Sequence, residues 1–75
     1  MNIVQDGYYW VDDPVIGRNM VLKIIAIVRT RYSIYVRVKV FDRHGKEIAK
    51  REILLKNLIN AETIQRVKPP EGQNP

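Results

Sequence analysis

The chain has 75 residues, a formal net charge of +5 and no cysteine. Its length allows one small domain with a thin core, and the lack of thiols excludes a disulfide framework, a thiolate metal site and a cysteine nucleophile. The first 20 residues carry three aspartates and one basic residue, the reverse of a secretory signal, and no segment is apolar enough to span a membrane, so we expect a cytoplasmic protein with no membrane partner.

The composition favours a β-sheet. Isoleucine and valine together number 19, whereas leucine and alanine together number 7. Branching at Cβ restricts the side chain in a way that suits a pleated sheet better than a helix. The chain is therefore predicted to be all-β.

The first predicted strand is the aromatic segment 7–11, GYYWV. Residues 12–14, Asp-Asp-Pro, are predicted to end it because proline has no N–H to donate to a sheet ladder. Residues 12–19 are then expected to form a loop, with Gly17 at a turn.

The second predicted strand, residues 20–29, is apolar on both faces, which is typical of a strand covered on two sides. Its odd face carries Val21, Ile25 and Ile27. We expect these three side chains to be covered by the curled sheet or by a second copy of the chain, since leaving each exposed would forfeit about 1.5–3 kcal/mol.

The third predicted strand, residues 31–41, alternates strictly between apolar and polar positions, which predicts one buried face and one solvated face. The apolar face is predicted to hold Tyr32, Ile34, Val36, Val38 and Val40. The opposite face is predicted to hold Arg31, Ser33, Tyr35, Arg37 and Lys39.

A hairpin turn is predicted at Asp42 to Gly45, where aspartate begins a type I turn and glycine takes a left-handed position. The returning strand runs from 46 to about 55, with a bulge expected where its alternation slips at 49–51. Two structures are predicted as alternatives for residues 56–67. One is a short helix capped by Asn57; the preferred one is a single 3₁₀ turn over 58–62 and a closing strand over 63–67.

This order of elements resembles the SH3-like small barrel found in Tudor, KOW-type and many small phage and plasmid domains. The residues that carry the resemblance are GYYWV at 7–11, Gly17-Arg18, and LLKNLINAETIQRV at 54–67. The resemblance implies a five-stranded barrel over residues 1–67 with a short 3₁₀ turn or helix near its C-terminal end. Residues 68–75, a polar and proline-rich segment, are predicted to be a disordered tail.

Positive charge is concentrated in the middle of the chain. From Arg18 to Arg51 there are ten basic residues against two acidic ones, a net charge of +8. Basic side chains can bind phosphates, and an aromatic ring among them can stack on an unpaired base. The candidate nucleic-acid-binding residues are Arg29, Arg31, Tyr35, Arg37 and Lys39.

The aromatic first strand is a second candidate surface. Alternation predicts Tyr8 and Trp10 on one face and Tyr9 on the other, with one face filling the core and the other open to a peptide or a base. The favoured interpretation makes Trp10 the core anchor. His44 is read as a solvated turn residue because no serine or cysteine is placed to work with it.

We therefore predict a small non-enzymatic module that binds DNA or RNA mainly through phosphates and needs no metal or cofactor. Its small size and the resemblance suggest a viral or plasmid accessory protein. The alternative is a protein-interaction module, acting with a protein partner or as a homodimer through Tyr8, Tyr9 and Trp10.

Overall fold

Residues 1–70 are described by the computed structural model, in which five antiparallel strands form one sheet in the order β4-β3-β2-β1-β5. One helix connects β4 to β5. This confirms the predicted all-β fold with a short helix near its C-terminal end, while the relation to the SH3-like family stays a prediction. The elements are β1 (Tyr8–Asp13), β2 (Gly17–Arg29), β3 (Ile34–Phe41), β4 (Glu47–Leu54), α1 (Leu55–Ile59) and β5 (Thr63–Val67).

A bulge at Ile25 explains why β2 looks apolar on both faces. Ile24 pairs with Val38 and Ala26 pairs with Arg37, so Ile25 has no partner on β3. The extra residue reverses which positions face inward: Ile24 is buried before it, and Ile27 packs against the core after it. Val21, Ile25 and Ile27 are all half-buried, so the expected cover is only partial; of the three, Ile27 packs against the core.

Tyr9, rather than Trp10, is the aromatic anchor of the core. Its side chain is fully buried. Its hydroxyl accepts a hydrogen bond from the Val4 N–H at 2.9 Å and donates one to the Asn2 carbonyl at 3.2 Å, which satisfies a buried polar group. The core also contains Val11, Ile16, Leu22, Ile24, Val36, Val38, Val40, Ile53 and Leu58. The interpretation of Trp10 as core anchor was wrong.

The third strand begins later than the alternation predicts. The Thr30 N–H donates to the Ser33 carbonyl at 2.8 Å, and the Ser33 N–H donates to Thr30 Oγ1 at 3.0 Å. These bonds close a tight β2–β3 turn and take residues 31–33 out of the strand. Tyr32 consequently leaves the apolar face and is 89% exposed.

The Asp42 to Gly45 turn is confirmed. The Gly45 N–H donates to the Asp42 carbonyl at 3.0 Å, and Gly45 has a φ of 81°, in the left-handed region that glycine adopts without steric cost. Asp42 Oδ1 accepts the N–H groups of Lys46 and His44, and these bonds, chiefly that of Lys46, lower the pKa of the carboxyl. The bulge of β4 lies at Ile48 rather than at 49–51, because Phe41 pairs with Glu47 and Val40 with Ala49.

The connection after β4 is a helix that begins earlier than predicted. It covers Leu55–Ile59, not 58–62, and its N-cap is Leu54 with no side-chain cap, so Asn57 lies inside it. Leu58 packs in the core and is fully buried, and this contact determines where the helix lies. The closing strand Thr63–Val67 has the predicted bounds.

Asp13 ties the β1–β2 loop to the segment before β5. Its Oδ2 accepts the N–H groups of Val15 and Ile16 at 2.9 Å each, and its Oδ1 accepts the N–H of Glu62 at 2.9 Å. These bonds, the one from Ile16 first, lower the pKa of the carboxyl. β1 continues to Asp13, instead of ending at residue 11, because Asp12 pairs with Thr63 and Asp13 pairs with Gly17.

The C-terminal prediction reaches beyond what the structure describes. Residues 68–70 have no regular secondary structure, and 71–75 of the predicted tail lie outside the described residues. Within residues 1–70, none of the helical structure is both long and apolar enough to cross a membrane.

Candidate nucleic-acid interface

Three of the five predicted binding residues share the outward face of β3. Tyr35 and Lys39 are half-buried and Arg37 is exposed, while Val36, Val38 and Val40 between them are buried. The alternation of this strand from Ile34 onward is therefore confirmed, and its polar face is open to solvent.

The other two predicted residues lie elsewhere. Arg29 pairs with Ile34, next to the outward pair Val28–Tyr35, so alternation turns it to the opposite side of the sheet. Arg31 lies in the β2–β3 turn, with its guanidinium carbon 5.9 Å from the centre of the Tyr32 ring. The Ile25 bulge separates Arg29 from Arg37 and Lys39, and the late start of β3 at Ile34 leaves Arg31 in the turn.

Two lysines that the sequence did not single out complete the outward face. The strand register places Lys23 opposite Lys39, and Lys39 opposite Lys50. Directly opposed side chains on one face of a sheet are neighbours, and adjacent strands lie about 4.8 Å apart. Three lysines thus form one row across β2, β3 and β4. We call Lys23, Arg37, Lys39 and Lys50 the basic face.

Carboxylates neutralise only part of this face. Glu52 Oε2 lies 2.8 Å from Arg37 Nε, and Glu47 Oε1 lies 3.6 Å from Lys39 Nζ. Among residues 1–70, neither Lys23 nor Lys50 forms a salt bridge. Like charges placed directly opposite each other destabilise a sheet, so the lysine row lowers stability in the absence of an anion.

A depression lies within the basic face at the bulge. It has a volume of about 300 Å³. It is lined by two apolar residues, Ile25 and Val38, and by the charged residues Arg37, Lys39, Lys50, Arg51 and Glu52. A lining that combines apolar and mainly basic side chains can hold a group that has a flat apolar part and an attached anion.

The aromatic first strand offers little free surface. Tyr9 is fully buried and Tyr8 is 9% exposed. The Tyr8 ring lies 6.2 Å from the Phe41 ring and beneath Lys23 Nζ, which is 5.7 Å from its centre. Trp10 is half-buried, with its indole N–H donating to Asn19 Oδ1 at 2.8 Å. Of the three predicted partner residues, Trp10 has the most exposed side chain, and Tyr8 instead supports Lys23.

The register explains why Lys23 and Lys50 were missed. Lys23 interrupts an apolar strand and Lys50 lies where the alternation of β4 slips, so neither belongs to a pattern within its own strand. Their alignment with Lys39 depends on which residues pair across strands. Lys39 lies three residues before Asp42 and Lys50 lies five residues after Gly45, so the bulge at Ile48 also hides the Lys39–Lys50 pairing.

Comparisons of the chain with protein-family models, with curated proteins and with solved structures find no match.

Proposed function

We propose that this chain is a small non-enzymatic nucleic-acid-binding module that holds the phosphate backbone on its basic face. The observation that supports this most is the lysine row Lys23–Lys39–Lys50, aligned by register on three adjacent strands. A row of opposed like charges lowers the stability of the free protein. The same row stabilises a complex with nucleic acid, because binding neutralises the phosphates and releases their counterions.

The partial pairing of the face is compatible with phosphate binding. The Arg37–Glu52 pair is exposed, at 58% for each side chain, and the Lys39–Glu47 pair is at 36% and 40%. Exposed ion pairs contribute about 0–1 kcal/mol. A phosphate can therefore replace either carboxylate at small cost.

Such a face binds with little sequence preference, because phosphate contacts position a nucleic acid without reading its bases. Tyr35 lies on the same face of β3, two residues before Arg37, and adds an aromatic ring to it. The alternative of a protein-interaction module using the aromatic first strand has less support, since Tyr8 and Tyr9 are buried.

A matched pair of double variants tests the proposal. Lys39→Gln with Lys50→Gln removes two charges from the basic face, and Lys46→Gln with Lys56→Gln removes two charges from the hairpin turn and from α1. If the face contacts four phosphates, the logarithm of the affinity for a single strand falls with the logarithm of salt concentration with a slope of about −2.8.

The variant on the basic face should halve that slope and weaken binding by roughly sixty-fold at about 50 mM salt, taking the phosphate contribution as zero at 1 M. The control variant should retain most of the parent affinity. Equal losses in the two variants would mean that net charge, rather than the basic face, governs binding, and the proposal would be rejected.

A further inference from the structure

The depression lined by Ile25 suggests what form of nucleic acid the basic face selects. We infer that it receives one unpaired nucleobase, so that the chain prefers single strands to duplexes; this inference rests on the proposed function. The bulge of β2 places an isoleucine among charged side chains.

Ile25 is an unusual residue for this position. One neighbouring cross-strand row is Lys23, Lys39 and Lys50, and the other is Ala26, Arg37 and Glu52. A regular strand would need one residue fewer here, and the bulge instead leaves a half-buried apolar side chain in the lining of the depression. Apolar side chains of this kind pack on the face of a base that has left its stack.

The distribution of charge around the depression orients the occupant. Lys39 and Lys50 lie on one side, and the Glu52 carboxylate lies on the other, paired with Arg37 at 2.8 Å. An anion inside the depression would meet Glu52, whereas an anion at the lysine side would not. A nucleotide satisfies both conditions because its base is neutral and its phosphate is anionic.

Ile25 distinguishes this occupant from an acidic peptide. The lining carries four basic residues, Arg37, Lys39, Lys50 and Arg51, against Glu52, so charge alone would also attract an aspartate or a glutamate, but their side chains offer no flat apolar surface to pack on Ile25. The volume of about 300 Å³ is at the lower end for small-molecule sites and gives room for one base. In a duplex the bases stay stacked and paired, so only the phosphates can reach the basic face.

The experiment compares three fluorescent probes by anisotropy on the full chain: a short single strand, the same strand with abasic sugars, and a duplex. At about 200 mM salt, where the phosphate contribution is weaker, the intact strand should bind about ten-fold more tightly than the abasic strand. The factor assumes that a base covers about half of the Ile25 side chain beyond Cβ. The affinity for the duplex should not depend on Ile25, because the bases of a duplex stay stacked and paired.

The variant Ile25→Ala should lose this ten-fold advantage on the intact strand and bind the abasic strand as the parent does. The matched control is Ile48→Ala, the same substitution at the bulge of β4, where the side chain is 54% exposed and outside the depression. It should bind all three probes as the parent does.

Each other outcome is informative. Equal binding of intact and abasic strands by the parent would overturn the inference even if Ile25→Ala failed to fold, and would leave the proposed function standing. Binding of none of the three probes would reject the proposed function itself. Tighter binding of a glutamate-rich peptide than of the intact strand would overturn the inference in favour of an acidic protein partner.

Discussion

The lysine row predicts a variant that is more stable than the parent and binds less well. In Lys50→Gln, the repulsion between the side chains at positions 39 and 50, which face each other across β3 and β4, is removed. Relief of a directly opposed like-charge pair is worth about 0.2–1 kcal/mol. For a domain of this size, about 0.5 kcal/mol raises the Tm by roughly 2–4 °C.

The assay is thermal unfolding by circular dichroism at two salt concentrations. The increase in Tm of Lys50→Gln over the parent should be larger near 10 mM salt, where the Debye length is about 30 Å, than near 1 M, where it is about 3 Å. Lys56→Gln on the exposed surface of α1 is the control, because it removes the same charge without an opposed lysine. If Lys50→Gln melts no higher than Lys56→Gln at low salt, the lysine row is not under repulsion and the main support for the proposed function is lost.

Two further changes test the architecture. Asp13→Asn should lower the Tm more than Asp12→Asn, because Asp13 accepts three backbone N–H bonds and Asp12 accepts one. Since the folded pKa of Asp13 is lowered, its charged form adds stability above the unfolded pKa of about 3.9 and loses it as the pH falls through the folded pKa; Tm measured against pH should therefore show a smaller acid decline in Asp13→Asn than in the parent. Leu22→Ala, at a fully buried core position, should cost about 2–5 kcal/mol in urea unfolding, and a loss below about 1 kcal/mol would contradict the core as described.

Local chemistry was enough to predict the class of fold and several of its parts. The Asp42 to Gly45 turn follows from residue types that favour one turn geometry, and its bonds are those observed. The alternation from Ile34 to Val40 predicted the buried face of β3 correctly, because the order of residues in that strand alone determines which of them point inward. The bounds of the closing strand Thr63–Val67 were also predicted correctly.

The errors have a common origin in interactions between segments. Bulges at Ile25 and Ile48 depend on how neighbouring strands pair, and the first of them moves Arg29 away from Lys39. The helix starts at Leu55 because Leu58 must reach the core, a requirement that the spacing of leucines left open. The lysine row was invisible in the sequence because its three members are aligned by register alone.

The basic face is tested most directly by a chemical-shift titration of the isotope-labelled chain with a short single-stranded oligonucleotide at low salt. We expect the largest changes on the amides of Lys23, Ile25, Arg37, Lys39 and Lys50, with small changes at Trp10 and on α1, and all of these changes should diminish as salt is added. Changes centred on Trp10 or on α1, or no change at all, would contradict the assignment of the basic face as a nucleic-acid-binding surface.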